Sequence, residues 1–132
     1  MTTHTLFVCT TCGSTWEKGQ RVGQSRGELL LEALQPAHSQ WSWREQCPLQ
    51  PVECMSACSR PCSVALAAAG KHTYLFGDLA SSEADLGDVC GAILDCAALY
   101  LQQPQGLMAW SARPERLRKG LIARIPPLPS LS

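Results

Sequence analysis

The chain has 132 residues, 45% of them hydrophobic, which is enough to fill the core of one domain, and its formal net charge is zero. A balanced charge gives no general reason to expect nucleic acid or an anionic membrane as a partner. No apolar run approaches the roughly 18–20 residues that cross a bilayer. Residues 1–9 contain neither a basic n-region nor a long apolar h-region, so we expect no signal peptide and a cytoplasmic location.

Cysteine is the unusual residue of this chain, with eight copies. In a secreted chain an even number would indicate a disulfide framework, whereas the reducing cytoplasm disfavours structural disulfides. Five of the eight lie in two short segments, Cys9-Thr-Thr-Cys12 and Cys54-Met-Ser-Ala-Cys58-Ser-Arg-Pro-Cys62. In that compartment such clustering favours a metal or redox role.

The first part of the chain is predicted to form a strand, a loop and a helix. Residues 4–8 indicate a short buried strand that delivers Cys9 into a loop over residues 10–24. Ser25 and Glu28 match a capping box, because the serine hydroxyl can accept from the Glu28 amide while the glutamate side chain reaches back to the Ser25 amide. The helix that follows is expected to end at Pro36.

Three more strands and a second helix are predicted downstream. Residues 41–44 alternate in polarity as a strand does, and residues 63–76 indicate a β-hairpin that turns at Gly70 and Lys71. The strongest periodic signal is a helix that opens at Ser82 and runs to residue 101. The predicted order is β-α-β-β-β-α, with one domain over residues 1–104. Residues 105–132 are expected to form a basic, proline-rich extension, packed on that domain or trailing from it, that does not enter a sheet interior.

Both cysteine segments are predicted to lie in loops that follow strands. Such loops can hold four thiolates at one end of a small sheet, and iron–sulfur clusters and structural zinc both take four ligands of this kind. Zinc sites of this size usually use two C-x-x-C pairs, or one pair with two histidines. The second segment here has C-x-x-x-C spacing and no nearby histidine except His72, which counts against zinc.

The motifs themselves resemble a known family. Phe7-Val-Cys9, the Cys54-Met-Ser-Ala-Cys58 loop and a downstream hairpin ending in Tyr74-Leu-Phe-Gly-Asp78 are similar to the thioredoxin-like [2Fe–2S] ferredoxins. The fuller pattern, including the Trp110 segment and the Ala-Arg-Ile-Pro-Pro ending, resembles DUF1636, a bacterial family of predicted metal-binding proteins. The resemblance covers nearly the whole chain. It implies a thioredoxin-like ferredoxin fold with a four-stranded mixed sheet and two main helices, holding a [2Fe–2S] cluster.

Three ligand positions carry over from the ferredoxins directly, namely Cys9, Cys54 and Cys58. For the fourth ligand we predict Cys12, with Cys62 as the alternative. In many ferredoxins of this kind the first pair of cysteines is spaced more widely than Cys9 and Cys12 are here.

The remaining conspicuous residues have simpler interpretations. Cys90 and Cys96 fall on the apolar side of the last helix and are predicted to be core residues, and Cys47 is interpreted as an incidental loop thiol that can be oxidised. At least two of the tryptophans 41, 43 and 110 are expected to pack against the sheet. Residues 113–124 carry five Lys/Arg against one Glu, a run that usually means a solvated face but can also dock an acidic partner.

These features predict a one-electron carrier or redox accessory protein with an unidentified protein partner. A homodimer is one assembly that the sequence allows. No set of acid, base and nucleophile indicates an enzyme acting alone. Two alternatives stay open. One is a structural zinc or metal-delivery protein that uses the same cysteines. The other is a thiol–disulfide oxidoreductase built on Cys9 and Cys12, which is less favoured because the first helix begins only at Ser25 and no helix N-terminus is expected near the pair.

Overall fold

The structure, a computed structural model, describes residues 4–10, 15–23, 25–53, 62–79 and 86–127. The described residues form a mixed α/β fold. In chain order its elements are β1 (His4–Cys9), β2 (Thr15–Glu17), β3 (Gln20–Val22), α1 (Arg26–Ser39), β4 (Leu49–Val52), β5 (Val64–Ala68), β6 (Thr73–Phe76), α2 (Leu86–Leu101), a 3₁₀ helix (Trp110–Ala112), α3 (Glu115–Lys119) and β7 (Leu121–Ile125).

Five strands make up the main sheet, in the order β4-β1-β5-β6-β7. β1 pairs with β4 in parallel, and the other three pairings are antiparallel. The expectation of four strands was therefore wrong, because β7 comes from the segment predicted as an extension and pairs with β6. Its isoleucines favour an extended backbone, and Pro126 and Pro127 follow only after the strand has ended.

The second strand lies later in the chain than predicted. Residues 42–46 form turns instead, in which the amides of Arg44 and Cys47 donate to the carbonyls of Trp41 and Trp43, at 3.3 and 3.0 Å. The strand is β4, which contains Pro51. A proline is tolerated there because β4 is an edge strand, where one side of the backbone needs no ladder partner.

The predicted loop over residues 10–24 contains a small hairpin of β2 and β3. Its two turn residues, Lys18 and Gly19, both have positive φ angles, 51° and 78°. A two-residue turn of this kind matches the twist of the flanking strands. The sequence carried no alternating pattern long enough to reveal strands of three residues.

The described parts of the helices follow their sequence signals with two exceptions, and the predicted start of the last helix at Ser82 lies outside the described residues. The capping box at Ser25 is confirmed, with the Glu28 amide 3.0 Å from the serine Oγ. α1 continues through Pro36 to Ser39, because an exposed proline removes one backbone donor without blocking the core face. α3 is a third helix that was not predicted. Its five residues are too few to show a periodic pattern.

Among the described residues, one hydrophobic cluster joins the sheet to α1 and α2. The strand residues that point into it alternate along β1 and β6, as the period of a strand requires. The predicted apolar side of the last helix is confirmed, and its buried members are Val89, Cys90, Ile93, Leu94, Cys96, Ala97 and Tyr100. Trp41 and Trp43 are half-buried, and of the two only Trp41 is among the side chains packed against this cluster.

Candidate metal centre

Three neighbouring strands end or begin at the same edge of the sheet. β1 ends at Cys9, the parallel strand β4 ends at Val52, and the antiparallel strand β5 begins at Val64. The Cys9 amide donates to the Ser63 carbonyl at 3.1 Å, and the Thr10 amide donates to the Val52 carbonyl at 2.8 Å. We call this region the cysteine edge, defined by residues 9–10, 52–53 and 62–63. Both predicted cysteine segments are therefore entered from one edge of the sheet.

Cys9 is fully buried at the cysteine edge. Its thiol donates to the backbone carbonyl of Glu53, with 3.6 Å between Sγ and the oxygen. Cys54 is the next residue in the sequence after Glu53. The Cys9 sulfur thus lies beside the point where the chain enters the second cysteine segment.

Cys62 also lies at the cysteine edge, just before β5. Its side chain is 2% exposed and belongs to the hydrophobic cluster, and its carbonyl accepts from the Leu79 amide at 3.2 Å. The pairing of Val8 with Val64 places Cys62, two residues before β5, beside the end of β1 that carries Cys9. The structure thus brings Cys9 and Cys62 to one edge. Cys12, Cys54 and Cys58 fall outside the described residues, so the full ligand set stays a prediction.

The N-terminus of α1 packs directly against the end of β1. The Ser25 hydroxyl donates to the Thr10 carbonyl, and a Cβ placed on Gly27 would overlap the Cys9 carbonyl oxygen. The expectation that no helix N-terminus lies near Cys9 was therefore wrong. It rested on sequence distance, whereas the chain folds back between Thr10 and Ser25. The positive end of a helix dipole favours negative charge nearby, including thiolate.

The cysteines outside the two segments are core residues. Cys47, Cys90 and Cys96 are all buried, which confirms the prediction for the two on α2 and corrects the one for Cys47. Burial raises the pKa of Cys47 to about 11 and the pKa of Cys96 to about 12. Cys47 is buried because the turns over residues 42–46 direct it back towards the sheet. These thiols therefore stay protonated near neutral pH.

The other end of β1 holds a buried polar pair that the sequence analysis missed. The Lys71 Nζ lies 2.7 Å from Nε2 of His4, and since an ammonium has only donors, the histidine nitrogen accepts. Lys71 also donates to the carbonyls of Tyr100 and Leu101 at the end of α2, at 3.4 and 3.3 Å. The signal for His4 was available, because it shares a β1 face with Leu6 and Val8.

Within the described ranges, no three or more His, Cys, Asp or Glu side chains are grouped as a metal site. The same part of the chain contains no helix with the length and apolar character of a bilayer span.

The fold places the chain in a class of known architecture. A solved structure described as a thioredoxin-like [2Fe–2S] ferredoxin from Aquifex aeolicus superposes with a TM-score of 0.54 at 14% identity, covering 92% of each chain. At this identity the similarity concerns the fold alone. No curated protein matches the chain significantly.

A family model described as "Protein of unknown function (DUF1636)" matches residues 6–127. The chain belongs to this family. Both resemblances found in the sequence are thereby confirmed.

Proposed function

We propose that this protein binds a [2Fe–2S] cluster at the cysteine edge through Cys9, Cys12, Cys54 and Cys58, and acts as a one-electron carrier or redox accessory protein. The observation that carries the proposal is the 3.6 Å contact between the Cys9 thiol and the Glu53 carbonyl. It joins the first cysteine segment to the residue that precedes Cys54. The likeness of the fold to a ferredoxin supports the same function.

The described residues fit such a group in three respects. A [2Fe–2S] cluster takes cysteine thiolates, and both predicted segments open at one edge of the sheet. Cys9 is buried, and low solvent exposure is one of the factors that set a cluster's potential. The N-terminus of α1 lies against the backbone of Cys9 and Thr10, where its dipole offsets negative charge. When bound, the cluster accepts and releases one electron.

The test is metal and sulfide analysis of protein purified without oxygen, together with its visible absorption spectrum. We expect red-brown protein with two irons and two sulfides per chain, as the composition of the cluster requires. Cys9→Ser should remove the colour. Cys47→Ala is the matched control, since Cys47 is a buried thiol just before the start of β4, at the opposite end of that strand from the cysteine edge, and it should keep the colour. Colourless protein with stoichiometric zinc would overturn the proposal in favour of a zinc or metal-delivery protein.

One observation favours a second candidate function, thiol–disulfide exchange by Cys9 and Cys12. The N-terminus of α1 packs against the backbone of Cys9 and Thr10, and helix N-termini are one setting in which reactive cysteines occur. Insulin reduction by metal-free protein, lost in both Cys9→Ser and Cys12→Ser, would support this function. Absence of that activity in the metal-free protein would exclude it.

A further inference from the structure

Positive charge is concentrated near the C-terminal end of the described chain. Residues 113–124 carry five Lys/Arg and one Glu, whereas residues 1–112 carry six Lys/Arg and ten Asp/Glu. Three of the five cations are on α3, and the exposed Trp110 lies beside them in the 3₁₀ helix. We call Trp110, Arg116, Arg118 and Lys119 the α3 surface. Residues 113–124 are therefore net positive although the whole chain has no net charge.

The α3 surface adjoins the cysteine edge. α3 ends at Lys119, and the carbonyl of the next residue, Gly120, accepts from the Gly77 amide at 2.7 Å. The Leu79 amide, two residues after Gly77 in the chain, donates to the Cys62 carbonyl. Asp78, between these two contacts, lines one surface pocket with Arg116 and Lys119. A partner seated on α3 would therefore lie next to the edge where we propose the cluster.

Trp110 and Arg118 contact each other on this surface. Trp110 is 62% exposed, and the guanidinium carbon of Arg118 lies 5.1 Å from the centre of its ring. A hydrogen bond also fixes the Arg118 side chain, because its Nε donates to the Arg113 carbonyl at 2.7 Å. Tryptophan and arginine are the residues most enriched among those that dominate binding energies at protein interfaces. An arginine already fixed in place loses less side-chain entropy on binding.

We propose that the α3 surface docks an acidic patch on a protein redox partner. This inference rests on the proposed function, since it assigns the surface from which the cluster would exchange electrons. Charge complementarity selects the partner. Glu115 and Asp78 lie among the cations, and Glu115 forms a 3.1 Å ion pair with Lys119, so the surface is a mosaic and not a continuous basic track. A mosaic suits the varied charges of a protein, whereas phosphate rows and base stacking call for uniform cations and several aromatic rings.

The first measurement uses calorimetry at low salt to determine the affinity of the protein for a short poly-L-glutamate peptide. It does not depend on the cluster. Arg116→Glu should weaken binding about fivefold, because it removes one surface attraction and adds one repulsion. Arg44→Glu is the matched control, since Arg44 is exposed near Gln46, whose carbonyl accepts from the His4 amide at the opposite edge of the sheet. It changes the net charge equally and should leave binding unchanged. Glu115→Gln should strengthen binding.

The second measurement is voltammetry of the iron-loaded protein on gold coated with a carboxylate-terminated monolayer. Electron transfer should be fast for the wild type and for Arg44→Glu, and slower for Arg116→Glu and Trp110→Ala. Equal effects of Arg44→Glu and Arg116→Glu would overturn the docking surface. So would tighter binding, dependent on Arg116, to phosphatidylserine vesicles or single-stranded DNA than to the peptide. If the peptide binds through Arg116 but no cluster forms, the proposed function fails and the docking surface stands.

Discussion

Gly27, in the first turn of α1, lies so close to the end of β1 that a methyl group on its Cα would overlap the carbonyl oxygen of Cys9. Its φ angle is not positive, so the requirement for glycine is one of space and not of backbone conformation. The capping box at Ser25 holds the helix in this position, and the Ser25 hydroxyl also donates to the Thr10 carbonyl. The position of the helix start and that of the predicted ligand Cys9 are therefore coupled, because neither can shift without moving the other.

Gly27→Ala is predicted to destabilise the protein and to impair cluster binding together. The added methyl has to displace either α1 or the Cys9 backbone, and overpacking of this kind typically costs about 1–3 kcal/mol. Gly91→Ala is the control. Gly91 is an exposed α2 glycine with open space around its Cα, so the substitution should stabilise by about 0.5–1 kcal/mol. Chemical denaturation and the visible spectrum would measure both. A Gly27→Ala protein as stable as the wild type would contradict the coupling.

Substitution of Cys12 and of Cys62, one at a time, is predicted to identify the fourth ligand. Cys12→Ser should strongly alter the visible and paramagnetic resonance spectra of the cluster, and Cys62→Ser should not. Because Cys62 lies in the hydrophobic cluster, a serine there can destabilise the fold for reasons unrelated to metal. Cys62→Ala separates the two effects, since it removes the sulfur without adding a polar group. Loss of the cluster in Cys62→Ala but not in Cys12→Ser would reverse the assignment.

The three core thiols are predicted to resist alkylation. Burial raises the pKa values of Cys47 and Cys96 to about 11 and about 12 and also raises that of Cys90, so almost no thiolate is present near neutral pH. N-ethylmaleimide followed by peptide mass spectrometry should leave all three unmodified in the native protein and modify them after unfolding. Because their folded pKa values lie above the ordinary 9.0, their contribution to stability is complete below that pH and is lost as the pH rises above it. Modification of native Cys47 would contradict its burial.

Much of the architecture could be predicted because it depends on local patterns. The Ser25 capping box and the apolar side of α2 are short-range signals, and both agree with the structure. β7 was missed because five residues between a short helix and two prolines show no period, and the strand forms only by pairing with β6. Strand formation of this kind depends on partners distant in sequence.

For the candidate site, the sequence predicted which cysteines to consider but not which helices pack beside them. Clustered cysteines indicated the chemistry, and their positions after strands indicated one edge of a sheet. The contact of α1 with Cys9 could not be predicted, because it depends on how the chain returns from Thr10 to Ser25. For the same reason the proximity of α3 to Cys62 was invisible in the sequence. This proximity depends on backbone hydrogen bonds of Gly77 and Leu79 with residues that are distant in the sequence.

The buried pair of His4 and Lys71 is predicted to make the protein less stable in acid. Burial lowers the pKa of His4 below 6.5, the Lys71 charge lowers it further, and the Gln46 carbonyl acts in the opposite direction. Below pH 6.5 the unfolded chain therefore takes up a proton at His4 that the folded protein does not. The free energy of unfolding consequently falls as the pH decreases from 6.5 to the folded pKa, and this contribution then levels off.

Two variants test this origin of the acid sensitivity. His4→Gln keeps a hydrogen-bond acceptor for Lys71 and cannot titrate, so denaturation curves should lose the part of the pH dependence that begins at 6.5. Lys71→Met keeps the aliphatic packing and removes the charge. The His4 pKa, measured by nuclear magnetic resonance, should then rise but stay below 6.5, because burial is the larger cause. If the wild type became more stable on acidification through this range, or if Lys71→Met lowered the His4 pKa, the charge repulsion inferred for the pair would be wrong.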